Sequence, residues 1–213
     1  MSNDQPTASQ SRRPAALLLR GIAWLQADQP DKALADFDRA AELAPDDPAP
    51  LFNRGLVYRC QGRFPEAIAD FTSAACLAPD DPDPILQRGN VLLALGDHRA
   101  AATDFRSVLS GDPYNPEAMN RLAGVLSVSD DELVRDPENG LRLARRAMEF
   151  AEEVTADLRD TLAAACAACG RFAEAVFWQN RALQSAPTEE HPAYLRRLRF
   201  YRRGVMPPTN RSH

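Results

Sequence analysis

Lysine is almost missing from this chain of 213 residues: Lys32 is the single lysine among 25 basic residues, a compositional habit from which no function follows. Histidine is nearly as scarce. His98, His191 and His213 stand far apart, so no nucleophile–histidine arrangement can be assembled from the sequence. There is no glycine-rich phosphate loop, no HExxH and no serine-centred elbow, so no enzyme and no cofactor are expected. No run of about 18 apolar residues occurs, so no membrane span is expected. The opening MSNDQPTASQS lacks the basic-then-apolar order of a secretion signal, and a cytoplasmic protein is the expectation. Four cysteines in a chain of this length do not make a disulfide framework.

Charge is present but unevenly placed. From His191 onward there are arginines at 196, 197, 199, 202, 203 and 211 and no acid, so a tail of +6 within a total of -5 leaves -11 on the body. An acidic body argues against nucleic acid along the repeat surface, because phosphate contacts need positive charge spread over the surface that tracks the backbone.

The strongest signal is repetition. Arg54-Gly55, Ala67, Asp70-Phe71 and Pro79 recur 34 residues earlier as Arg20-Gly21, Ala33, Asp36-Phe37 and Pro45, and 34 residues later as Arg88-Gly89, Ala101, Asp104-Phe105 and Pro113. A fixed period of this length marks a stacked array. Each repeated residue has a mechanical reason. Gly21, Gly55 and Gly89 lack a Cβ, so a first helix can approach a second one where Ala33, Ala67 and Ala101 are equally small. Phe37, Phe71 and Phe105 fill the space between repeats, each contributing on the order of 2 to 3 kcal/mol. Pro45, Pro79 and Pro113 end the second helices. Asp47-Pro48, Asp81-Pro82 and Asn115-Pro116 restart the chain as caps with proline just inside. Gly62, Gly96 and Gly170 mark turns that want a left-handed residue. The periodic Arg20/Asp36, Arg54/Asp70 and Arg88/Asp104 could pair between helices; three copies along a rod point to architecture rather than catalysis.

With these residues in place the chain resembles the tetratricopeptide repeat family over residues 14–203. The resemblance implies an all-α, right-handed α-solenoid of about five helix pairs with a C-terminal capping helix. The repeats are read at about 14–47, 48–81, 82–115, 116–155 and 156–189, with the capping helix at 190–203, a disordered tail at 1–13 and a flexible tail at 204–213. The first helix is expected to start near Pro14 and run to about Ala27. Beyond Pro116 the pattern loosens: Leu126 to Gly140 spans 14 residues where Tyr58 to Ala67 takes nine, so this loop carries about five extra. Asp136-Pro137-Glu138 starts a helix to roughly Glu153. The loop acids Asp130, Asp131, Glu132 and Asp136 lack the alternating spacing of a calcium loop and read as a solvated surface. This lengthened repeat, followed by DTLAAACAACGRFAEAVFWQNRALQSAP and YLRRLRFYRRG, looks like the C-terminal end of many bacterial members. In the last repeat Gln179 takes the phenylalanine's place, and Phe177 with Trp178 is expected to supply the missing bulk. Cys166 and Cys169 form a CxxC without further ligands nearby and read as small core residues. Tyr194, Leu195, Leu198 and Tyr201 are expected on one stripe of the closing helix with arginines opposite.

In this family a partner lies in a concave groove lined by the first helices. Residue by residue, that groove would hold Leu18, Ile22, Phe52, Asn53, Leu56, Arg59, Gln87, Asn90, Asn120 and Arg121. Some members clamp a peptide's terminal carboxylate with a basic residue and an asparagine; here those places hold Leu18 and Ile22. An amphipathic helix or extended segment with an apolar end and an acidic or amide-bearing end would suit this lining. The apolar stretch AALLLRGIAWL, residues 15–25, leaves Leu18, Leu19, Ile22 and Leu25 for another surface, with two readings: Leu18, Ile22 and Leu25 pack on the next repeat or under the N-terminal tail, or the surface is a partner or self-association site. Three functions follow in order: an adaptor for a protein or peptide segment, a homo-oligomeric structural protein, and a nucleic acid or membrane-surface binder using the arginine tail.

Overall fold

A computed structural model describes residues 8–208; the outermost residues of both expected tails lie outside that range. Among the described residues all regular structure is helical. The chain divides into two compact units, 1–91 and 92–213.

In the first unit α1 (Ala8–Gln26) packs on α2 (Pro30–Leu43), α2 on α3 (Pro48–Cys60), and α3 on α4 (Phe64–Leu77). A fifth helix, α5 (Asp83–Ala94), begins here and ends in the second unit. The starts follow from local chemistry. Asp47 accepts from the Ala49 N–H at 3.0 Å with Pro48 at the first helical position, so one orphan donor is satisfied and proline's missing N–H is harmless there. The turns within pairs place Gly62 at φ 72 and Gly96 at φ 78. Asp28, one period before Gly62, takes the same left-handed backbone at φ 54, which a short polar side chain tolerates better than most. The core includes two small clusters, Ala33, Phe37 and Val57, then Ala67, Phe71 and Val91. Arg20 grips Asp36 with two bonds of 2.7 Å, and Arg54 grips Asp70 in the same way. Arg88, third in register, donates to Thr72 Oγ1 at 3.0 Å and is engaged elsewhere as well. One boundary differs from the sequence reading. The first helix begins at Ala8 rather than Pro14, so Pro14 sits inside it and removes one helical hydrogen bond.

In the second unit α6 (His98–Gly111) packs on α7 (Pro116–Val128), α7 on both α8 (Pro137–Phe150) and α9 (Ala156–Ala168), α9 on α10 (Phe172–Ser185), and α10 on α11 (His191–Arg202). Asn115, Asp136 and Thr155 cap α7, α8 and α9 with their side chains. The helix after the long loop ends at Phe150, three residues before the expected Glu153. At Gly140 a Cβ would meet Ser127 Oγ and come within 3.0 Å of the Ala123 carbonyl, so glycine here permits the close approach of α7 and α8.

Two expectations for the end of the chain are corrected. Phe177 does not replace the missing phenylalanine: it is 51% exposed, whereas Gln179 itself is fully buried. Its amide donates to Asp160 Oδ1 at 2.8 Å and to the Tyr194 carbonyl at 3.3 Å, so hydrogen bonds take over where ring contact holds the earlier repeats. On α11 Tyr194, Leu198 and Tyr201 are buried, but Leu195 faces outward and Arg197 turns inward to Asp160 at 2.7 Å.

Candidate functional site

The first-helix residues of the first unit are half-buried, and they divide into two kinds. Leu18 and Ile22 pack against Ala33, Phe37 and Val57, joined by Trp24, Leu25 and Leu34. Of the apolar stretch, Leu19 is the side chain that stands clear, at 68% exposure. Packing within the array therefore accounts for Leu18, Ile22 and Leu25. Phe52 and Leu56 lie on the next cluster, the Phe52 ring 5.8 Å from that of Phe71. The polar members keep hydrogen-bonding capacity at the surface. Asn53 donates to its own helix at the Ala49 carbonyl, Arg59 donates to Gln87 Oε1, and Asn90 is half-buried one turn further along α5.

In the second unit Asn120 and Arg121 converge on one acid. The Asn120 amide donates to Asp157 Oδ2 at 2.8 Å, and Arg121 Nη1 stands 3.6 Å from the same oxygen. Asn120 is 4% exposed; its Oδ1 and the Arg121 Nε find no partner among the described residues.

Neither residue lines an opening that lies elsewhere in this unit. That opening is a cavity of about 1470 Å³ built from four sources. Leu95–Arg99, at the turn into α6, form one wall; Ser127–Asp131 and Arg135, from the end of α7 and its long loop, form another. Ala164 of α9 and Ala193, Arg196, Arg197 and Tyr201 of α11 form the third, and Met206–Pro208 complete the rim. Gly204 at φ 69 turns the chain back after α11, and the Val205 N–H donates to the Phe200 carbonyl, which directs this last segment to the cavity.

Most charges around the cavity are already matched. Arg99 donates to Asp131 Oδ2 at 2.8 Å, and the Leu133 N–H donates to the other Asp131 oxygen; this backbone bond first, and Arg99 second, holds the carboxyl below its ordinary range. Asp97 caps α6 through the Ala100 N–H, and Asp130 is engaged too. Behind the wall, burial pushes the Asp160 carboxyl upward more than Arg197 and Gln179 pull it down. His98 Nδ1 and Ser129 Oγ share a hydrogen bond at 3.1 Å. Arg135 and Arg196 have no acid partner among the described residues.

The His98–Ser129 contact joins a hydroxyl to an imidazole that the sequence alone did not associate; among the described residues no group of three His, Cys, Asp or Glu side chains could hold a metal ion. Burial pushes the Cys166 thiol up to about 11, so it stays protonated and inert near neutrality. No described helix is long and apolar enough to cross a membrane. The ten first-helix positions could be mapped because they follow the period. The cavity could not, since its walls come from the inserted loop and from α11, where the period fails; the five extra residues before Gly140 and the arginines after His191 were the visible signs of it.

Tetratricopeptide repeat family models match residues 19–81 and 86–126. A search of curated proteins returned no match. Among solved structures, a thermophilic TPR protein of Thermus thermophilus is similar at 18% identity and TM-score 0.65, over 85% of this chain and 98% of that one. A chain of the APC/C hetero-tetramer Cut9–Hcn1 aligns at 17% identity and TM-score 0.76 over 92% of this chain and 37% of the other. The first TPR domain of Spaghetti, bound to the HSP90 peptide SRMEEVD, aligns at 25% identity and TM-score 0.51 over 54% of this chain and 91% of that one.

Proposed function

Because this chain belongs to the tetratricopeptide repeat proteins, we propose that it is a non-catalytic scaffold of the cytoplasm that holds a segment of a partner protein. The observation that carries this reading is the cavity of the second unit. At about 1470 Å³ it exceeds the roughly 300 to 1,000 Å³ of small-molecule pockets and suits a stretch of polypeptide. Its walls mix exposed apolar side chains such as Leu95 and Val128 with polar groups, the combination that supplies both burial and orientation in a peptide site. The Spaghetti domain holds a peptide on the same kind of repeat, which supports this use of the fold.

Site-directed photo-crosslinking in cells tests it. A p-benzoylphenylalanine at Val128, on the cavity wall, is expected to capture a discrete protein adduct; the same group at the exposed Arg106 of α6 serves as control. Equal labelling from both positions, or none from Val128, would remove the cavity from the interaction.

A further inference from the structure

Part of the cavity rim is a segment of this chain that belongs to no helix, and its role rests on the reading just given. We propose that Val205–Pro208 is a strap that occupies the partner's place at the cavity, and that the partner segment displacing it is of the same kind: uncharged, extended and proline-bearing.

The fold aims the strap. Helix α11 is held by buried Leu198 and Tyr201 and by the Arg197 bond to Asp160 at 2.7 Å. Gly204 then takes a left-handed turn at φ 69, which other side chains rarely adopt, and a Cβ there would stand 3.8 Å from the Phe172 ring. The Val205 N–H closes the turn on the Phe200 carbonyl at 3.2 Å. The chain thus returns to the cavity instead of running on from α11, and Met206–Pro208 line it together with the turn into α6 and the long loop. Met206 and Pro207 are half-buried there.

The chemistry of the strap matches the wall. The four arginines of the lining stand against Asp97, Asp130 and Asp131 on the lining and Asp160 behind it, so the cavity has no excess charge of one sign to satisfy. A segment without charge suits such a wall, and Val205–Pro208 carries none. Leu95 and Val128, 50% and 36% exposed, offer apolar surface that methionine and proline side chains can cover. Adjacent prolines keep the chain extended and have no N–H to strand under cover. Tethered one turn from α11, the strap acts at high effective concentration, so weak contacts suffice to hold it.

The test is photo-crosslinking from p-benzoylphenylalanine at Val128 in the full chain, as wild type and as Met206→Gly/Pro207→Gly. The double glycine removes the apolar side chains and the proline constraint without adding charge. Both positions lie outside every described helix, so thermal melts should coincide. In the purified wild type, irradiation and peptide mapping are expected to find an adduct within the chain to residues 205–208, absent from the variant. In cells the partner adduct should rise about threefold in the variant, the gain expected if the strap covers the cavity about two-thirds of the time. Added to wild-type lysate, a peptide GVMPPT should reduce the partner adduct, and GVGGPT should not. Absence of the internal adduct would overturn the strap. An internal adduct with partner capture that is equal in the two proteins, or lower in the variant, would also overturn it and leave the scaffold reading standing. Equal competition by the two peptides, or none by either, would overturn the shared chemistry. No partner adduct from either protein would overturn strap and scaffold together.

Discussion

Arg54 holds Asp70 through two parallel hydrogen bonds, Nε to Oδ2 at 2.8 Å and Nη2 to Oδ1 at 2.6 Å, while its remaining nitrogen reaches Asp38 at 2.7 Å. One guanidinium thus ties α3 to α4 within its own repeat and to α2 of the one before. Arg20 makes the same fork to Asp36 but sits at the start of the array with its side chain 60% exposed, against 22% for Arg54. Removing Arg54 strands a carboxylate whose side chain is 8% exposed. Arg54→Met is therefore expected to cost about 2 kcal/mol, below the roughly 3 to 5 kcal/mol of a fully buried pair because water still reaches part of the site. Arg20→Met should cost less, since water can take its place beside Asp36. Urea unfolding of both variants checks the order, and an equal or larger loss for Arg20→Met would contradict it.

Asp36 and Asp160 should respond to pH with opposite signs. The Arg20 fork holds the Asp36 carboxyl below its usual range, despite burial. A depressed folded-state pKa adds stability above the unfolded value of about 3.9, and that stability is lost as pH falls through the folded value. Asp160 is raised, chiefly by burial, so the folded protein binds its proton more tightly than the unfolded chain does. Its contribution is fully present below about 3.9 and is lost as pH rises through the folded value. Asp160→Asn keeps an oxygen for Gln179 and Arg197 while removing the buried charge. The variant should therefore gain on the wild type between pH 4 and pH 7 in urea unfolding. A relative loss over that interval would show that Arg197 outweighs burial.

The same substitution should act oppositely at two helical glycines. At Gly55 a Cβ would stand 2.8 Å from Phe71 Cε1 and 3.0 Å from Cδ1, and that ring is fully buried with no room to turn. Overpacking of this kind costs typically about 1 to 3 kcal/mol, against a gain of about 1 kcal/mol in helix propensity. Gly55→Ala is therefore expected to destabilise by roughly 1 kcal/mol. At Gly124 of α7 the nearest atom is Thr161 Cγ2 at 4.0 Å, an ordinary contact. Gly124→Ala should stabilise by up to about 1 kcal/mol. Melting temperatures that move the same way in both variants would mean that close helix approach does not explain Gly55.

These glycines show why some of the molecule could be read from the chain and some could not. Gly55, Ala67 and Phe71 repeat the spacing of Gly21, Ala33 and Phe37 because the same packing is built in both of these repeats, so a period in sequence is a contact in space. Asp28 fills a left-handed turn where the later repeats use glycine, and only the spacing from Gly62 marks it. Where a contact is built once, no period announces it. Gln179 replaces a ring by bonds to Asp160 and Tyr194, two partners that nothing in the repeat pattern associates with it. The cavity is the extreme case, since the turn into α6, the long loop, two later helices and a returning tail meet there by tertiary placement alone.

The first helix offers a last distinction, between an apolar residue that holds the array and one that is free to hold something else. Leu18 and Ile22 rest on Phe37 and its neighbours, so Leu18→Glu/Ile22→Glu puts charge against a hydrophobic cluster and should lower the melting temperature. Leu19 is 68% exposed, and Leu19→Glu should melt with the wild type. Light scattering across a concentration series then separates stability from assembly. A wild-type mass above 23.4 kDa that falls to the monomer value in Leu19→Glu would place self-association on the outward side of α1. An unchanged mass in Leu19→Glu would exclude that side. A change confined to the doubly charged variant would trace to the damaged core, because those two leucine-sized side chains already have partners within their own chain.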